Sequence, residues 1–257
     1  MENTMSLDSI LSIQLYSLRK FGDLAPQLRL ARSAGFRQVE LLGCHLEDPE
    51  ETRHLLEEHQ LTAPSAHIPL DALRHDLQGT IRAARAIGIR RLYMPALPAH
   101  ERQGDAGHWH HVGRELGDMA ARIADEGIRL GYHNHHWELE PMADGRPALA
   151  HFFEAAGPKL AWEVDIAWLA RGGADPNGWL LKERARIDAA HVKDIAPTGQ
   201  KQDEGGWTDV GAGILDWRAL WRACLDAGAT LMIVEHDDPK HPAAFVQASF
   251  NFLAGRE

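Results

Sequence analysis

A short unit recurs along this chain, and it constrains the fold more than any other feature of the sequence. Four segments read as the end of a helix, one glycine and then an apolar strand: ARSAGFRQVELLG, ARAIGIRRLYMPAL, IADEGIRLGYHNH and CLDAGATLMIVEH. The glycine stands where the last turn of a helix needs a residue in the left-handed conformation. Such a repeating unit is typical of folds in which strands and helices alternate.

Eight runs predict the strands of one parallel sheet, because most are apolar throughout rather than alternating. They cover residues 10–17, 38–43, 61–68, 91–97, 128–135, 160–167, 187–195 and 230–236. No glycine-rich phosphate loop opens a helix, which disfavours a doubly wound sheet, and a barrel of eight units has about 250 residues. The sequence therefore predicts an α/β fold, a (β/α)8 TIM barrel, as a single domain over residues 1–257 with a flexible N-terminus at 1–8.

Composition excludes several classes of function. A net charge of −10 without a block of Lys or Arg disfavours binding to nucleic acid or to an anionic membrane surface. The chain lacks both an apolar run long enough to span a bilayer and the pattern of a signal peptide at MENTMSLDS. Cys44 and Cys224 stand far apart and read as two free thiols. We therefore expect a soluble, cytoplasmic protein.

Four polar residues stand near the C-terminal ends of the last four predicted strands. They are Glu138, Asp165, His191 and Glu235, separated by 27, 26 and 44 residues. The C-terminal ends of barrel strands meet at one mouth, where active sites lie. Three carboxylates and one imidazole there would converge on one divalent metal ion. This set of ligands suits Mn²⁺ best, with Mg²⁺, Co²⁺ or Zn²⁺ as alternatives.

The segment GYHNHHWELE (131–140) holds three histidines close to Glu138. Successive strand residues point to opposite faces, so three clustered histidines cannot all face one ion. A regular strand would place Asn134, His136 and Glu138 on one face and His133 and His135 on the other. A bulge would change that assignment.

The sixth predicted strand carries two carboxylates, Glu163 and Asp165, on one face. Burying both inside a barrel is costly unless a cation or hydrogen-bond donors compensate. We expect a metal ion to compensate Asp165, which is nearer the mouth, and hydrogen bonds to make Glu163 a structural carboxylate.

Further residues at the same mouth are candidates for contacts with a substrate. We predict that Tyr16, Glu40, His67, Trp168 and Lys193 bind substrate; packing or hydrogen bonding at the barrel top is the alternative for each. The polar, glycine-rich segment APTGQKQDEGGWTDVGAG (196–213) is a candidate lid, because loops on this side of a barrel build active sites.

Over essentially its whole length the chain resembles a known family, the xylose-isomerase-like TIM barrels called sugar phosphate isomerases/epimerases. The motifs that carry the resemblance are YHNHHWE, WEVDIAWLARGGADP, HVKD, VGAGILDW and IVEHD. The resemblance implies that Glu138, Asp165, His191 and Glu235 bind one divalent metal ion. It also implies that Glu138 and Glu235 flank the substrate as an acid/base pair.

One departure from the family pattern bears on the substrate. Many members carry Asp-Thr-Gly-His at the sixth strand, whereas this chain has Asp165-Ile166-Ala167-Trp168. This departure resembles the branch that acts on keto-sugars or 3-keto-glycosides. Similar proteins are commonly homodimers or homotetramers.

The resemblance implies a metal-dependent isomerase or epimerase of carbohydrate metabolism that acts on a small sugar through an enediolate. Isomerisation, epimerisation and elimination share the first proton abstraction. A metal-dependent dehydratase or lyase acting on an inosose or a 3-keto-glycoside is therefore the main alternative. An AP-endonuclease-like hydrolase is disfavoured by the acidic net charge, and a non-catalytic sugar-binding protein by the two flanking glutamates.

Overall fold

The structure, a computed structural model, describes residues 6–255 and contains a closed barrel of eight parallel strands surrounded by helices. The strands are β1 (Leu11–Gln14), β2 (Gln38–Leu42), β3 (Thr62–His67), β4 (Arg91–Met94), β5 (Arg129–His133), β6 (Ala161–Asp165), β7 (Ile187–Val192), β8 (Asp194–Ile195), β9 (Trp207–Thr208) and β10 (Leu231–Val234). The barrel order is β1-β10-β7-β6-β5-β4-β3-β2, and β8 and β9 form a separate hairpin. The predicted TIM barrel is confirmed.

Helices cover the outside of the barrel. They are α1 (Leu7–Ile10), α2 (Leu24–Ala34), α3 (Pro49–Glu58), α4 (Leu70–Ile87), α5 (Ala106–Ile123), α6 (Ala148–Ala156), α7 (Ile166–Arg171), α8 (Pro176–Lys182), α9 (Trp217–Ala227) and α10 (Pro242–Leu253). Short 3₁₀ helices lie at Leu15–Leu18, Gly43–Leu46, Ala99–Glu101, Ala124–Glu126, Trp137–Leu139 and Gln202–Glu204. Of the predicted flexible N-terminus, residues 1–5 lie outside the described residues, and α1 begins at Leu7.

All eight predicted barrel strands are present, but each ends one to three residues earlier than predicted. The cause is local, as β1 illustrates. The side chain of Gln14 accepts a hydrogen bond from the Tyr16 backbone N–H at 3.1 Å and begins a 3₁₀ helix where the prediction continued the strand. Polar residues after a strand therefore belong to turns at the mouth, where the alternation of strand faces no longer holds.

The glycines of the repeated unit end helices as predicted. Their φ angles are all positive, from +71° at Gly127 to +123° at Gly35. The N–H of Gly88, for example, donates to the carbonyls of Ala84 and Arg85 at 3.0 and 3.1 Å. A residue with a side chain would be strained in this conformation, so the repeat reflects a real backbone requirement.

The register of the strands places polar side chains at matching heights inside the barrel. Asp165 pairs with His191 between β6 and β7, and His133 pairs with Glu163 between β5 and β6. These four side chains are almost completely buried. The main apolar cluster packs the strands against the helices, and a smaller one contains only the strand residues Tyr93, Ala189, Leu231 and Ile233. Both cysteines are free, as predicted.

No helix within residues 6–255 is long and apolar enough to cross a membrane.

Two glycines bring α5 and α6 into backbone contact, and substitution of one of them should be destabilising. A Cβ atom at Gly117 would lie 2.1 Å from the carbonyl oxygen of Ala156. We expect Gly117→Ala to lower the free energy of unfolding by about 1–3 kcal/mol through overpacking. Gly107→Ala in the same helix is the matched control, because its Cβ would meet only the Asp105 side chain at 3.2 Å. Urea denaturation measures both variants, and wild-type stability of Gly117→Ala would contradict this packing.

Candidate metal centre and active site

Three of the four residues predicted as ligands lie together at the mouth of the barrel. Asp165 ends β6, His191 lies in β7 and Glu235 directly follows β10. His133, the last residue of β5, completes the group. Each residue offers one ligand atom, and these atoms all lie within 4.8 Å of one another. The four side chains form a candidate metal centre of two imidazoles and two carboxylates.

The two histidines are oriented by carboxylates that lie deeper in the barrel. His133 Nδ1 lies 3.0 Å from Glu163 Oε2, and His191 Nε2 lies 2.9 Å from Glu40 Oε1. The other nitrogens face the centre: His133 Nε2 is 3.9 Å from Asp165 Oδ2, and His191 Nδ1 is 3.1 Å from Glu235 Oε2. Histidines that bind metals are commonly held through their second nitrogen in this way.

The side chain of Asn134 fixes the position of Asp165 relative to β5. Its Oδ1 accepts hydrogen bonds from the Asp165 backbone N–H at 2.9 Å and from Trp162 Nε1–H at 3.0 Å. The Asp165 Oδ1 atom accepts from the Trp168 N–H at 2.7 Å and so caps α7. The carboxylate therefore has a fixed orientation, with Oδ2 toward the centre.

A cation fits this donor set. Asp165 Oδ2 is buried and has no hydrogen-bond partner in the part of the chain that the structure describes. An unsatisfied buried carboxylate oxygen is costly, and burial raises the pKa of Asp165 to about 7 although Lys193 and His191 oppose the shift. A coordinated divalent ion would satisfy this oxygen, and mixed imidazole and carboxylate ligands suit ions of the first transition series.

The charge states of the two imidazoles differ. Burial lowers the pKa of His133 to about 3, so its ring is neutral, which is the form that binds a metal ion. Burial alone would also lower the pKa of His191, but Glu163 and Glu235 raise it well above its ordinary value. A bound cation would take the place of the proton on His191.

Glu163 belongs to a second candidate group, with His67, His133 and His191. Its Oε2 atom is already shared, lying 2.6 Å from His67 Nε2 and 3.0 Å from His133 Nδ1. Burial would raise the pKa of Glu163, but His191 and His67 hold it well below its ordinary value. This carboxylate is hydrogen-bonded as expected from the sequence, and it lies one layer below the mouth.

Glu138 lies apart from the other three predicted ligands, and among the described residues neither candidate group at the mouth includes it. β5 ends at His133, and Glu138 lies in the 3₁₀ helix Trp137–Leu139. Its carboxylate accepts hydrogen bonds from the Tyr132 hydroxyl and, at 2.8 Å, from the His135 backbone N–H. The parity argument failed here because it extended the strand past its end.

One signal in the sequence points to His133 instead. Within IRLGYH (128–133) the apolar side chains of Ile128, Leu130 and Tyr132 alternate with the residues that face the barrel interior. Tyr132 packs outward against Phe152, with ring centroids 4.4 Å apart. Counting from this apolar face places His133 inside the barrel.

A cavity of about 650 Å³ opens at the mouth above the candidate centre. Three of the predicted substrate-binding residues line it: Tyr16, His67 and Trp168. The other two, Glu40 and Lys193, are completely buried and do not line it. Glu40 accepts a hydrogen bond from Gln14 Nε2 at 2.7 Å and also contacts His191. It therefore holds site residues in place from below the cavity.

Lys193 acts on the site through its charge. Its Nζ atom lies 3.1 Å from Glu235 Oε2 and also donates to Asp237. Burial alone would lower the pKa of Lys193, but Asp237 and Glu235 raise it above its ordinary value. The ammonium is thus a fixed positive charge beside Glu235.

One wall of the cavity is aromatic, and sequence reasoning identified only part of it. His135 and Trp137 line the cavity together with Trp168, and the rings of His135 and Trp137 stack at 4.1 Å. Trp207, which does not line the cavity, packs edge-on against Trp168 with ring centroids 4.6 Å apart. Arg102 and Asp237 also line the cavity and were not predicted.

The segment 196–213, predicted as a lid, is ordered by the hairpin β8–β9 and by Asp194. The Asp194 side chain accepts hydrogen bonds from the backbone N–H groups of Gly211 and Gly213 at 3.0 and 3.2 Å. Arg171 lies over the ring of Trp207 at 3.3 Å. The segment therefore supports the aromatic wall from outside.

Comparison with solved structures confirms this fold. A sugar phosphate isomerase/epimerase from Parabacteroides distasonis matches with a TM-score of 0.80 and 18% identity, over 97% of this chain and 95% of that one. The IolI protein with a bound zinc atom matches with a TM-score of 0.76 and 13% identity, over 96% and 97%. The 3-keto-D-glucoside 4-epimerase YcjR from E. coli matches with a TM-score of 0.71 and 17% identity, over 95% and 98%.

Sequence comparison agrees. The rhizopine catabolism protein MocC of Rhizobium meliloti is 23% identical over 197 residues, which cover 70% of this chain and 58% of MocC. The chain thus matches less than two thirds of the length of this relative. The family model for the xylose isomerase-like TIM barrel matches residues 28–255. The resemblance found in the strand-end motifs is confirmed, and the chain belongs to the xylose isomerase-like TIM barrel family.

Proposed function

We propose that this protein is a divalent-metal-dependent sugar isomerase or epimerase that removes a proton from the carbon beside the carbonyl of a keto-sugar or keto-glycoside. One observation carries the proposal: the ligand atoms of His133, Asp165, His191 and Glu235 converge beside an aromatic-walled cavity that His133 and Glu235 line, and Asp165 has an unpartnered buried oxygen among the described residues. In this proposal His133 replaces Glu138 as the fourth ligand, beside Asp165, His191 and Glu235.

The donor set bears on the choice of ion. Two imidazoles and two carboxylates favour Mn²⁺, Co²⁺ or Zn²⁺, and they make Mg²⁺ less suitable than the three carboxylates expected from the sequence. When bound, such an ion supplies Lewis-acid polarisation of a carbonyl oxygen and lowers the cost of removing the adjacent proton.

Glu235 is the proposed proton acceptor. It lines the cavity, and its Oε2 atom is held by His191 and Lys193 at 3.1 Å each. Burial would raise its pKa, but Lys193 and His191 hold the pKa well below its ordinary value, so the carboxylate is ionised at neutral pH. An ionised carboxylate fixed at the cavity floor meets the geometric need of a general base.

His67 is the proposed second acid/base group, in the role that the resemblance implied for Glu138. Its ring lines the cavity, and its Nε2 atom lies 2.6 Å from Glu163 and 3.2 Å from Glu40. These two buried carboxylates fix the ring and can stabilise an added proton. The imidazole can therefore return a proton to the substrate from a different strand than Glu235.

The cavity wall supports a ring-shaped, carbohydrate-like substrate. The rings of Trp168, Trp137 and His135 line the cavity and provide apolar surface against which the C–H groups of a sugar ring can pack. The lining carries Arg19 and Arg102 as well as Asp237 and Asp238, so both free and phosphorylated sugars belong in the test.

The test is whether the protein catalyses a metal-dependent exchange of substrate hydrogen for deuterium from the solvent. Keto-sugars and 3-keto-glycosides, free and phosphorylated, are incubated with the protein in D₂O and followed by NMR. We expect deuterium beside the carbonyl of at least one compound with Mn²⁺, Co²⁺ or Zn²⁺, and exchange at the background rate after chelation. Equal exchange with and without metal, or none across the panel, would contradict the proposal. Loss of water or of the glycone would identify a dehydratase or lyase instead.

A further inference from the structure

We propose a second divalent-cation site on the outer helix layer, formed by His110, His151 and Glu154, with Asp144 holding the His151 ring through its other nitrogen. The class of ion is a zinc-like transition metal. The site shares no residue with the candidate centre in the barrel, and it joins helices α5 and α6 to the segment that precedes α6.

The side chains converge from two helices. His151 and Glu154 are three residues apart on α6 and share one face, while His110 approaches from α5. One ligand atom from each of the three lies within 4.8 Å of the others. His110 Nε2 is 3.9 Å from Glu154 Oε2, and the two imidazole rings lie 5.2 Å apart at an angle of 67°.

Two imidazole nitrogens in this group are buried without a hydrogen-bond partner within residues 6–255. They are His110 Nε2 and His151 Nδ1. Buried ring nitrogens are normally satisfied, so two unsatisfied ones on neighbouring rings call for an explanation. The second nitrogen of His151 lies 3.2 Å from Asp144 Oδ1. A cation between the rings would satisfy the free nitrogens and bind the Glu154 carboxylate, while Asp144 would keep its contact with the other nitrogen of His151.

The backbone holds the two helices at the distance that the site needs. A Cβ atom at Gly113 would lie 2.3 Å from the carbonyl oxygen of Phe152, so α5 approaches the backbone of α6 directly. His110 lies one turn before Gly113, and His151 immediately precedes Phe152. The separation of the two histidines is therefore set by helix packing rather than by flexible loops.

Small side-chain movements would complete the coordination. Zinc binds imidazole nitrogens and carboxylate oxygens at about 2.0–2.2 Å in tetrahedral sites. The carboxylate that must move is on the surface, with 56% of the Glu154 side chain exposed. Arg146 now pairs with Glu154 at 2.6 Å, but an exposed ion pair of this kind is weak and can be released.

An ion at this position would stabilise the wall of the active-site cavity. Asp144 lies in the segment that leads from the 3₁₀ helix Trp137–Leu139 to α6. Through the contact of Asp144 with the metal-bound His151, the ion would restrict this segment and the residues that carry Trp137. The ion is thus assigned a structural role, separate from the chemistry in the barrel.

Zinc stoichiometry tests the inference without reference to catalysis. The purified protein is dialysed against buffered Zn²⁺, and bound zinc is measured by inductively coupled plasma mass spectrometry. We expect two equivalents in the wild type and one in His110→Gln and in Glu154→Gln. Both variants change residues that are at least partly exposed, so the fold should survive. The matched control is His111→Gln, an exposed histidine next in the chain, which should keep both equivalents.

Asp165→Asn separates this site from the barrel site. If the wild type binds one equivalent that is lost in His110→Gln and kept in Asp165→Asn, the helix site stands and the barrel proposal fails. If His110→Gln and Glu154→Gln bind as much zinc as the wild type, the helix site is overturned. Circular dichroism of each variant verifies that lost zinc does not reflect unfolding.

Discussion

Glu235→Gln is expected to lower metal-dependent deuterium incorporation by about 10²–10⁴-fold, the usual contribution of a general base. The amide keeps the shape of the side chain and one oxygen that can still coordinate an ion, but it cannot accept the proton. Its partners at the site remain paired, because Lys193 also contacts Asp237 and His191 also contacts Glu40. The loss should therefore appear in the rate more than in the fold.

Two measurements on the Glu235→Gln variant distinguish loss of the proton acceptor from loss of the bound metal ion. Bound metal is measured on the same sample, and the rate is compared at saturating Mn²⁺. Glu140→Gln is the control for removing one negative charge near the mouth, because Glu140 is exposed and contributes nothing to the cavity lining. A metal-loaded Glu235→Gln protein with wild-type exchange would rule out Glu235 as the proton acceptor.

The sequence predicts the barrel well because its units are local. Each helix–glycine–strand unit depends on one positive φ angle and on one apolar run, and both are visible within about a dozen residues. Asp165, His191 and Glu235 follow from the same reasoning, since each stands within one residue of the end of its strand. Barrel closure then brings them together without further information.

The contacts that the supporting residues make could not be predicted in the same way. Glu40 and His191 are 151 residues apart in the chain, and they meet across the barrel interior at 2.9 Å. Such a contact depends on strand tilt and register, which hydrophobic patterning does not specify. The proposed site on α5 and α6 could not be predicted for a similar reason, because its geometry depends on how closely Gly113 lets the two helices approach.

The proposal that His133 takes the ligand role of Glu138, and His67 its acid/base role, has a chemical consequence. A pair of glutamates on opposite sides of one ion would be symmetric, and either could remove or return the proton. A site with Glu235 and the His67 imidazole has one carboxylate base and one group that can donate a proton. The asymmetry suits a reaction with a defined direction of proton transfer, and it makes Glu138 the residue that most sharply distinguishes the two arrangements.

Glu138→Gln is expected to keep exchange activity within a few-fold of the wild type and to change the pH dependence of stability. Burial raises the pKa of Glu138 from 4.5 to about 7 in the folded protein. Between these values the unfolded chain releases the proton while the folded chain retains it, so this group makes stability fall as pH rises. Glutamine has no such proton. From pH 4.5 to about pH 7, the free energy of unfolding of the variant should therefore rise relative to that of the wild type by about 3 kcal/mol.

Urea denaturation of both proteins at a series of pH values measures the difference, and all other titrating groups cancel in it. The substitution is compatible with the local contacts, because an amide oxygen can accept from the His135 N–H while the amide NH₂ donates to the Tyr132 hydroxyl. Glu140→Gln again controls for the change in net charge. If Glu138→Gln instead loses exchange while it retains its metal, then Glu138 acts as the resemblance implied. The 3₁₀ helix that carries it would then have to rearrange when substrate binds.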